Sequence, residues 1–251
     1  MSRQLTSGVL RRKKGIVYDE IIFGYLYNYF AITDLRGFSN GLFSVPTDAE
    51  ITELRSYIFN NITSENGRAI KSERTQIGDP LVGVPTNDNP FWLYDADRFG
   101  LDLLNLKAEA GGYRIGTNGS FTNINARFYL WSSTESSSTN AWFVNANFNA
   151  VGIGRSNVAK QFGFSACLVR DASVNELSKT DGDFCDPYTG NDGKIYRTVK
   201  IGNQVWTRQL AETKYNNGDS IPVITVNTSW RDATEGAMCA YNNNENLAIL
   251  I

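Results

Sequence analysis

Residues 239–251 read "CAYNNNENLAILI", an asparagine cluster followed by an apolar run. Such a run normally enters a core beside a partner strand. The residues just before it offer none, so the partner is expected earlier in the chain or on a neighbouring copy. Where this run pairs decides how the fold closes.

Length and charge set the outer limits. With 251 residues and ordinary apolar and aromatic content, the chain can bury one large core or two small ones, and disorder is not expected. A net charge of −2 gives no reason to expect nucleic acid or an acidic ligand as partner. The exception is the basic run Arg11, Arg12, Lys13 and Lys14, whose simplest reading is a solvated tail. In "MSRQLTSGVLRRKKGIVYDEIIFGYLYNYFAI", charges, tyrosines and asparagines interrupt the apolar patches before a signal-peptide core or a membrane span can form. Neither Sec export nor membrane insertion is therefore expected. Cys167, Cys185 and Cys239 are too few and too scattered for a disulfide framework or a zinc site, although Cys185 and Cys239 could pair outside a reducing compartment.

The clearest helix is "PTDAEITELRSYIFN", where Thr47 and Glu50 form a capping box and Ile51, Leu54 and Ile58 recur at helical spacing. A weaker helical patch is expected near Arg68 to Arg74. From Gly111 onward, short alternating runs broken by Gly, Asn and Ser predict hairpins. In "AWFVNANF", Trp142, Val144, Ala146 and Phe148 share one face while Phe143, Asn145, Asn147 and Asn149 share the other, which predicts one core side and one wet side. Residues 172–193 are rich in turn formers and predict a connector. Beyond it, "KIYRTVKIGNQVWTRQL" predicts a hairpin turning at Gly202 and Asn203, and Pro222 suggests an edge position or a strand start.

Several stretches together resemble one family. "FGYLYNYFAITD", "FSVPTDAEITELRSYI", "GGYR", "GSFTNINARFYLWSSTESSSTNAWF" and "KQFGFSACLVRD" resemble the later part of the Fibrobacter succinogenes major paralogous domain, a family similar to C-type-lectin-like folds. "DGKIYRTVKIGNQVWTRQLAETKYNNGDSIPVI", Trp230 and "GAMCAYNNNEN" resemble its earlier part. The resemblance implies an α+β, C-type-lectin-like domain of short strands and hairpins around one or two helices. It also implies a circular permutation, because the order of the two parts is inverted and joining Ile251 to Phe23 restores it. The organisation expected is an arm over 1–22, a lectin-like core over 23–171, the connector over 172–193, and a hairpin-rich segment over 194–251. That last segment completes either its own domain or a neighbour's, the latter making an intertwined oligomer or a head-to-tail array.

Little in the sequence points to catalysis. The chain has no histidine, hence no His-based triad and no usual near-neutral base. No spacing supports a glycosidase pair among Asp97, Glu109 and Glu135. Cys167, in the apolar pattern "FSACLVRD", reads as a buried small hydrophobe rather than a reactive thiol, and "GIGR" at 152–155 lacks the lysine and spacing of a phosphate loop. The sugar-binding calcium motifs of C-type lectins are absent. Calcium stays possible on the oxygens of "TESSSTN" but unsupported, so no cofactor is expected and the protein is read as non-enzymatic.

What remains is a binding surface. In relatives with the resembled fold, the last strands and loops before the terminal strand hold the ligand-facing residues, which here implies Trp131 to Lys160. Trp131 and Trp142 read as core anchors, and Glu135, Ser137, Asn140, Phe143, Asn145, Asn147, Asn149, Arg155 and Asn157 as the exposed candidates. These types combine adaptable hydrogen bonding with some stacking.

The function expected is that of a phage structural protein: a tail-fibre, tail-tip or capsid-decoration subunit whose lectin-like domain binds a host-surface glycan or protein. It would be made in the host cytoplasm, located in the virion and homo-oligomeric. Its basic run would dock onto other virion proteins. An architectural subunit without a host ligand and a bacterial surface adhesin are the alternatives.

Overall fold

The computed structural model describes residues 22–72, 92–93 and 95–249. The basic run Arg11, Arg12, Lys13 and Lys14, and Ile251 itself, lie outside the described residues. A two-residue strand β1 (Leu26–Tyr27) leads into a one-turn helix α1 (Tyr29–Ile32) and then the long helix α2 (Asp48–Asn61). The capping box at the start of α2 forms as read. Thr47 Oγ1 accepts from the Glu50 N–H at 3.2 Å, and Glu50 Oε2 accepts from the Thr47 N–H at 2.7 Å. Ile51, Leu54 and Ile58 are its buried residues, each contributing roughly 1.5–3 kcal/mol of apolar burial. The weaker patch becomes α3 (Asn66–Ile70), which starts and stops earlier than expected, because Lys71 turns extended and bridges Ala108.

The hairpin region follows. Strands β2 (Gly111–Arg114) and β3 (Phe121–Ile124) pair with each other, and β4 (Arg127–Glu135), β5 (Asn140–Asn147) and β6 (Ile153–Ala159) form a three-stranded sheet in that order. Next come β7 (Val169–Asp171), a one-turn helix α4 (Val174–Leu177), β8 (Tyr188–Thr189), β9 (Ile195–Tyr196), β10 (Thr198–Ile201) and β11 (Gln204–Thr207). The Gly202–Asn203 turn joins β10 to β11, with Gly202 at φ +59°, a left-handed conformation that glycine takes at no steric cost. Helix α5 (Asn227–Arg231) and β12 (Met238–Cys239) follow, and two 3-10 turns, Tyr241–Asn243 and Glu245–Leu247, come last. Every pairing between these strands is antiparallel and the sheets hold two or three strands each, so the class is α+β.

The stretch read as a connector, 172–193, is packed structure. Ser173 caps α4, Arg170 pairs with Glu176 at 2.7 Å, β8 pairs with β9, and Cys185 and Tyr188 are buried in the core. Its turn formers serve caps and tight turns rather than a free linker. The three cysteines are free and buried, each in a different apolar cluster, so Cys185 and Cys239 do not pair.

The apolar ending is held within the same chain, but its start is a 3-10 turn (Glu245–Leu247) and not the strand expected. β1 pairs with β12, Leu26 opposite Cys239, and the Phe23 N–H donates to the Leu247 carbonyl at 3.1 Å. The other side of β1 is bonded to Phe164 through Tyr27, at 2.9 and 3.0 Å. Residues from both 23–171 and 194–251 share one buried aromatic cluster that includes Tyr27, Trp131, Phe164, Tyr196 and Tyr215.

The β4–β5–β6 sheet separates that aromatic cluster from a second, aliphatic one. Phe128 and Leu130 of β4, with Val144, Ala146 and Ile153, face α2, whereas Tyr129 and Trp131 face Phe164. Alternation along the strand thus feeds two cores, which is why Phe128 to Ser132 are all buried. Among the described residues no helix is long and apolar enough to cross a membrane.

Candidate ligand-binding face

The register of β5 and β6 decides where each candidate side chain goes. Directly opposed residues of an antiparallel pair project to the same side. Val144 opposes Arg155 and Trp142 opposes Asn157, so Asn140, Trp142, Arg155 and Asn157 are on the α2 side. Phe143 opposes Ser156 and Asn145 opposes Gly154, which puts Phe143, Asn145 and Asn147 on the opposite side. The nine residues read from the sequence therefore do not form one surface.

On the α2 side the polar groups are spent on one another. Arg155 makes a two-pronged contact with Asp48, Nε to Oδ1 at 2.6 Å and Nη2 to Oδ2 at 2.7 Å, and its guanidinium lies 3.4 Å from the Trp142 ring centroid. Asp48 holds the Arg155 guanidinium above its ordinary pKa. Asn140 Nδ2 donates to Asn157 Oδ1 at 3.2 Å. Trp131 is the buried anchor expected, at 0% exposure, but Trp142 is only partly buried, since it is covered by a single guanidinium rather than by a core.

The β4–β5 loop is also internally committed. Glu135 pairs with Lys160 at 2.6 Å, and Ser137 Oγ accepts from the N–H groups of Thr139 and Asn140. Asn149 is exposed in the β5–β6 turn. Behind that turn, the buried Lys71 ammonium donates to the carbonyls of Arg98, Asn147 and Ala150, and burial lowers its pKa to about 8. Of the carboxylates weighed as a glycosidase pair, Glu109 is buried and accepts from Ser72, whereas Asp97 and Glu135 are exposed. The Cys167 thiol is 4% exposed, and burial raises its pKa.

The side facing away from α2 has a different character. The expected wet face is only partly wet, because Phe143 packs on Phe164 at 4.8 Å and on Tyr129 at 5.8 Å between ring centroids. Phe164, held by its two bonds to Tyr27, is the floor under Tyr129, which stacks on it at 4.9 Å. Tyr113 and Phe162, both half-buried, stack at 5.9 Å and complete an aromatic ledge. Burial raises the Tyr113 pKa.

Polar groups frame the ledge. Asn145 Nδ2 donates to Asn147 Oδ1 at 3.3 Å, and Asn145 lies across β6 because Gly154 has no side chain there: a Cβ would stand 2.5 Å from Asn145 Oδ1. Arg127, opposite Asn147 in register, and Asn123 each donate to Tyr129 Oη, at 3.2 and 3.3 Å. Asn123 has φ +64°, a left-handed conformation that asparagine tolerates.

Sequence reading placed Phe143, Asn145 and Asn147 on this side and missed Tyr113, Asn123, Arg127, Tyr129 and Phe162. The half-buried Tyr113 in "GGYR" and the Asn-rich "TNINAR" are the available signals, but only the docking of β2–β3 against β4 brings them to the ledge. Rings with accessible edges, amides and a guanidinium suit recognition of a ligand bearing both apolar surface and hydrogen-bonding groups. No family model, curated protein or solved structure matches this chain.

Proposed function

We propose that this chain is a non-enzymatic, C-type-lectin-like binding protein in circularly permuted order, and that it serves as a phage virion subunit engaging a host-surface glycan or protein. The observation that carries the binding reading is the ledge of Tyr113, Phe143 and Phe162, framed by Asn145, Asn147 and Arg127 on a sheet backed by two packed clusters. A rigid sheet presenting half-buried rings and amides keeps the ordering cost of ligand capture low. The lectin-like and permuted reading is supported by the two sets of resembling motifs and by the bonds of Ile22, Phe23 and Gly24 to Leu247 and Ala248. The virion setting rests on the basic run read as a docking arm.

A second reading, an architectural subunit making only protein contacts, draws support from Leu35 and Leu42. They are 104% and 75% exposed, apolar side chains that a protein contact would cover. Binding of the purified chain to host cells and to a glycan array separates the two. Retention that is lost in the Asn145→Ala, Asn147→Ala double variant supports the first; no retention by cells or glycans overturns it.

A further inference from the structure

Arg127 opens β4 on the ledge side of the sheet, and its side chain is exposed. Arg36, Arg68, Arg155 and Arg170 each close on a carboxylate. Arg127 makes no such pair among the described residues; its bond is to the neutral Tyr129 hydroxyl at 3.2 Å. A guanidinium has five N–H donors in a planar fork that matches a carboxylate, and among the described residues most of this fork has no partner.

Next to it the acceptors and donors continue in order. Tyr129 Oη already accepts from Asn123 and Arg127, which leaves its own proton to donate. The single bond between Asn145 and Asn147 leaves Asn145 Oδ1 and Asn147 Nδ2 to meet a ligand. Arg127 opposes Asn147, and from there Asn145 and Phe143 follow at two-residue steps along β5, a span of roughly 13 Å. The face therefore runs from a cation through amides to an aromatic ring, long enough for two linked pyranose rings.

We infer that the ledge takes a carboxylate-bearing saccharide, with the carboxylate on Arg127, ring hydroxyls on Asn147, Asn145 and Tyr129, and an apolar sugar face on Phe143. This rests on the ligand-binding reading proposed above and names the ligand class for the same face. A glycan is favoured over an acidic peptide because the amides and the phenol are arrayed for several hydroxyls, beside a ring suited to C–H stacking.

The test uses the full chain on an array of uronate-containing, sulfated and neutral glycans, followed by titration with a galacturonate oligomer and with its methyl ester. Retention on uronate-containing glycans is expected. Esterification and Arg127→Gln should each weaken binding roughly tenfold or more, with Arg127→Lys in between and the melting midpoints unchanged. Equal binding of ester and acid, equal binding of neutral glycans, or an Arg127→Gln variant that binds normally would overturn the ligand class while leaving the binding reading intact. Preference for sulfated glycans alone would overturn the carboxylate. Host-cell binding with no glycan retained would overturn the saccharide in favour of a protein, and no binding to cells or glycans would overturn both readings.

Discussion

The N–H of Phe23 donates to the carbonyl of Leu247 at 3.1 Å, so residues near opposite ends of the sequence are neighbours within one molecule. Ile22 and Gly24 both donate to Ala248, at 3.0 and 3.1 Å, and the Tyr25 hydroxyl donates to Glu245. This seam supports β1, and through Tyr27 it fixes Phe164, the floor of the ledge.

A chain joined from Ile251 to Ile22 through a short Gly-Ser link, and reopened in the exposed 178–180 segment, should fold. Its circular dichroism should match the parent, with a melting midpoint within about 5 °C, a shift on the order of 1–2 kcal/mol. Ala248→Asp, which buries an unpaired carboxylate at a position of 0% exposure, should cost about 3 kcal/mol in denaturant unfolding. A reopened chain that only aggregates would contradict the closure.

Stability should fall as pH rises from 5 to 7.5, and Glu212 is the reason. Its carboxyl is fully buried beside Asp192, and burial first, then that like charge, raise its pKa to about 7. The folded state therefore holds a proton that the unfolded chain releases above about 4.5, so the contribution is complete below that value and is lost as pH passes 7. No histidine titrates in this window, the Asp192 pKa is lowered and acts below it, and Lys71 acts from about 8 upward. Thermal melts of Glu212→Gln across the window should be flat where the parent declines by on the order of 5 °C.

Arg155→Ala should lower stability by about 1 kcal/mol, since it removes a partly exposed pair with Asp48 and the cover of Trp142. Ligand retention should be unaffected, because this side chain projects toward α2. Urea unfolding and cell or glycan binding, measured on the same variant, check both halves.

Lys71→Met should loosen the β5–β6 turn. Without the ammonium, the carbonyls of Arg98, Asn147 and Ala150 lose a donor in a buried place, at a cost of roughly 2–4 kcal/mol. Amide hydrogen exchange over 147–153 should accelerate well beyond that of α2. Equal protection in variant and parent would show that the turn holds itself.

Local signals were read well where local chemistry decides. Thr47 and Glu50 name the helix start because the capping box closes within four residues, and Gly202–Asn203 names a turn because the left-handed position is decided by one residue. Asn140 shares parity with Trp142 and Val144, so its place on the α2 side was legible from the strand period alone. The connector over 172–193 misled because turn formers mark caps and tight turns as readily as free linkers. Only packing distinguishes them, here the burial of Cys185 and Tyr188.

The sequence by itself determined the helix, the hairpins and the two-sided alternation of β5, since these depend on backbone preference and on a period of two or 3.6 residues. The tertiary structure alone decided that β5 aligns Val144 with Arg155, which sends Arg155 and Asn157 away from the amides, and that β2–β3 brings Tyr113 and Asn123 beside Tyr129. Register and docking are set by how distant side chains fill shared cores, a quantity that no local window of sequence contains. The same holds for "CAYNNNENLAILI": its composition called for a partner strand, whereas the packing of the whole chain put β1 beside Cys239 at its start and made the apolar run a 3-10 turn bonded to Ile22, Phe23 and Gly24.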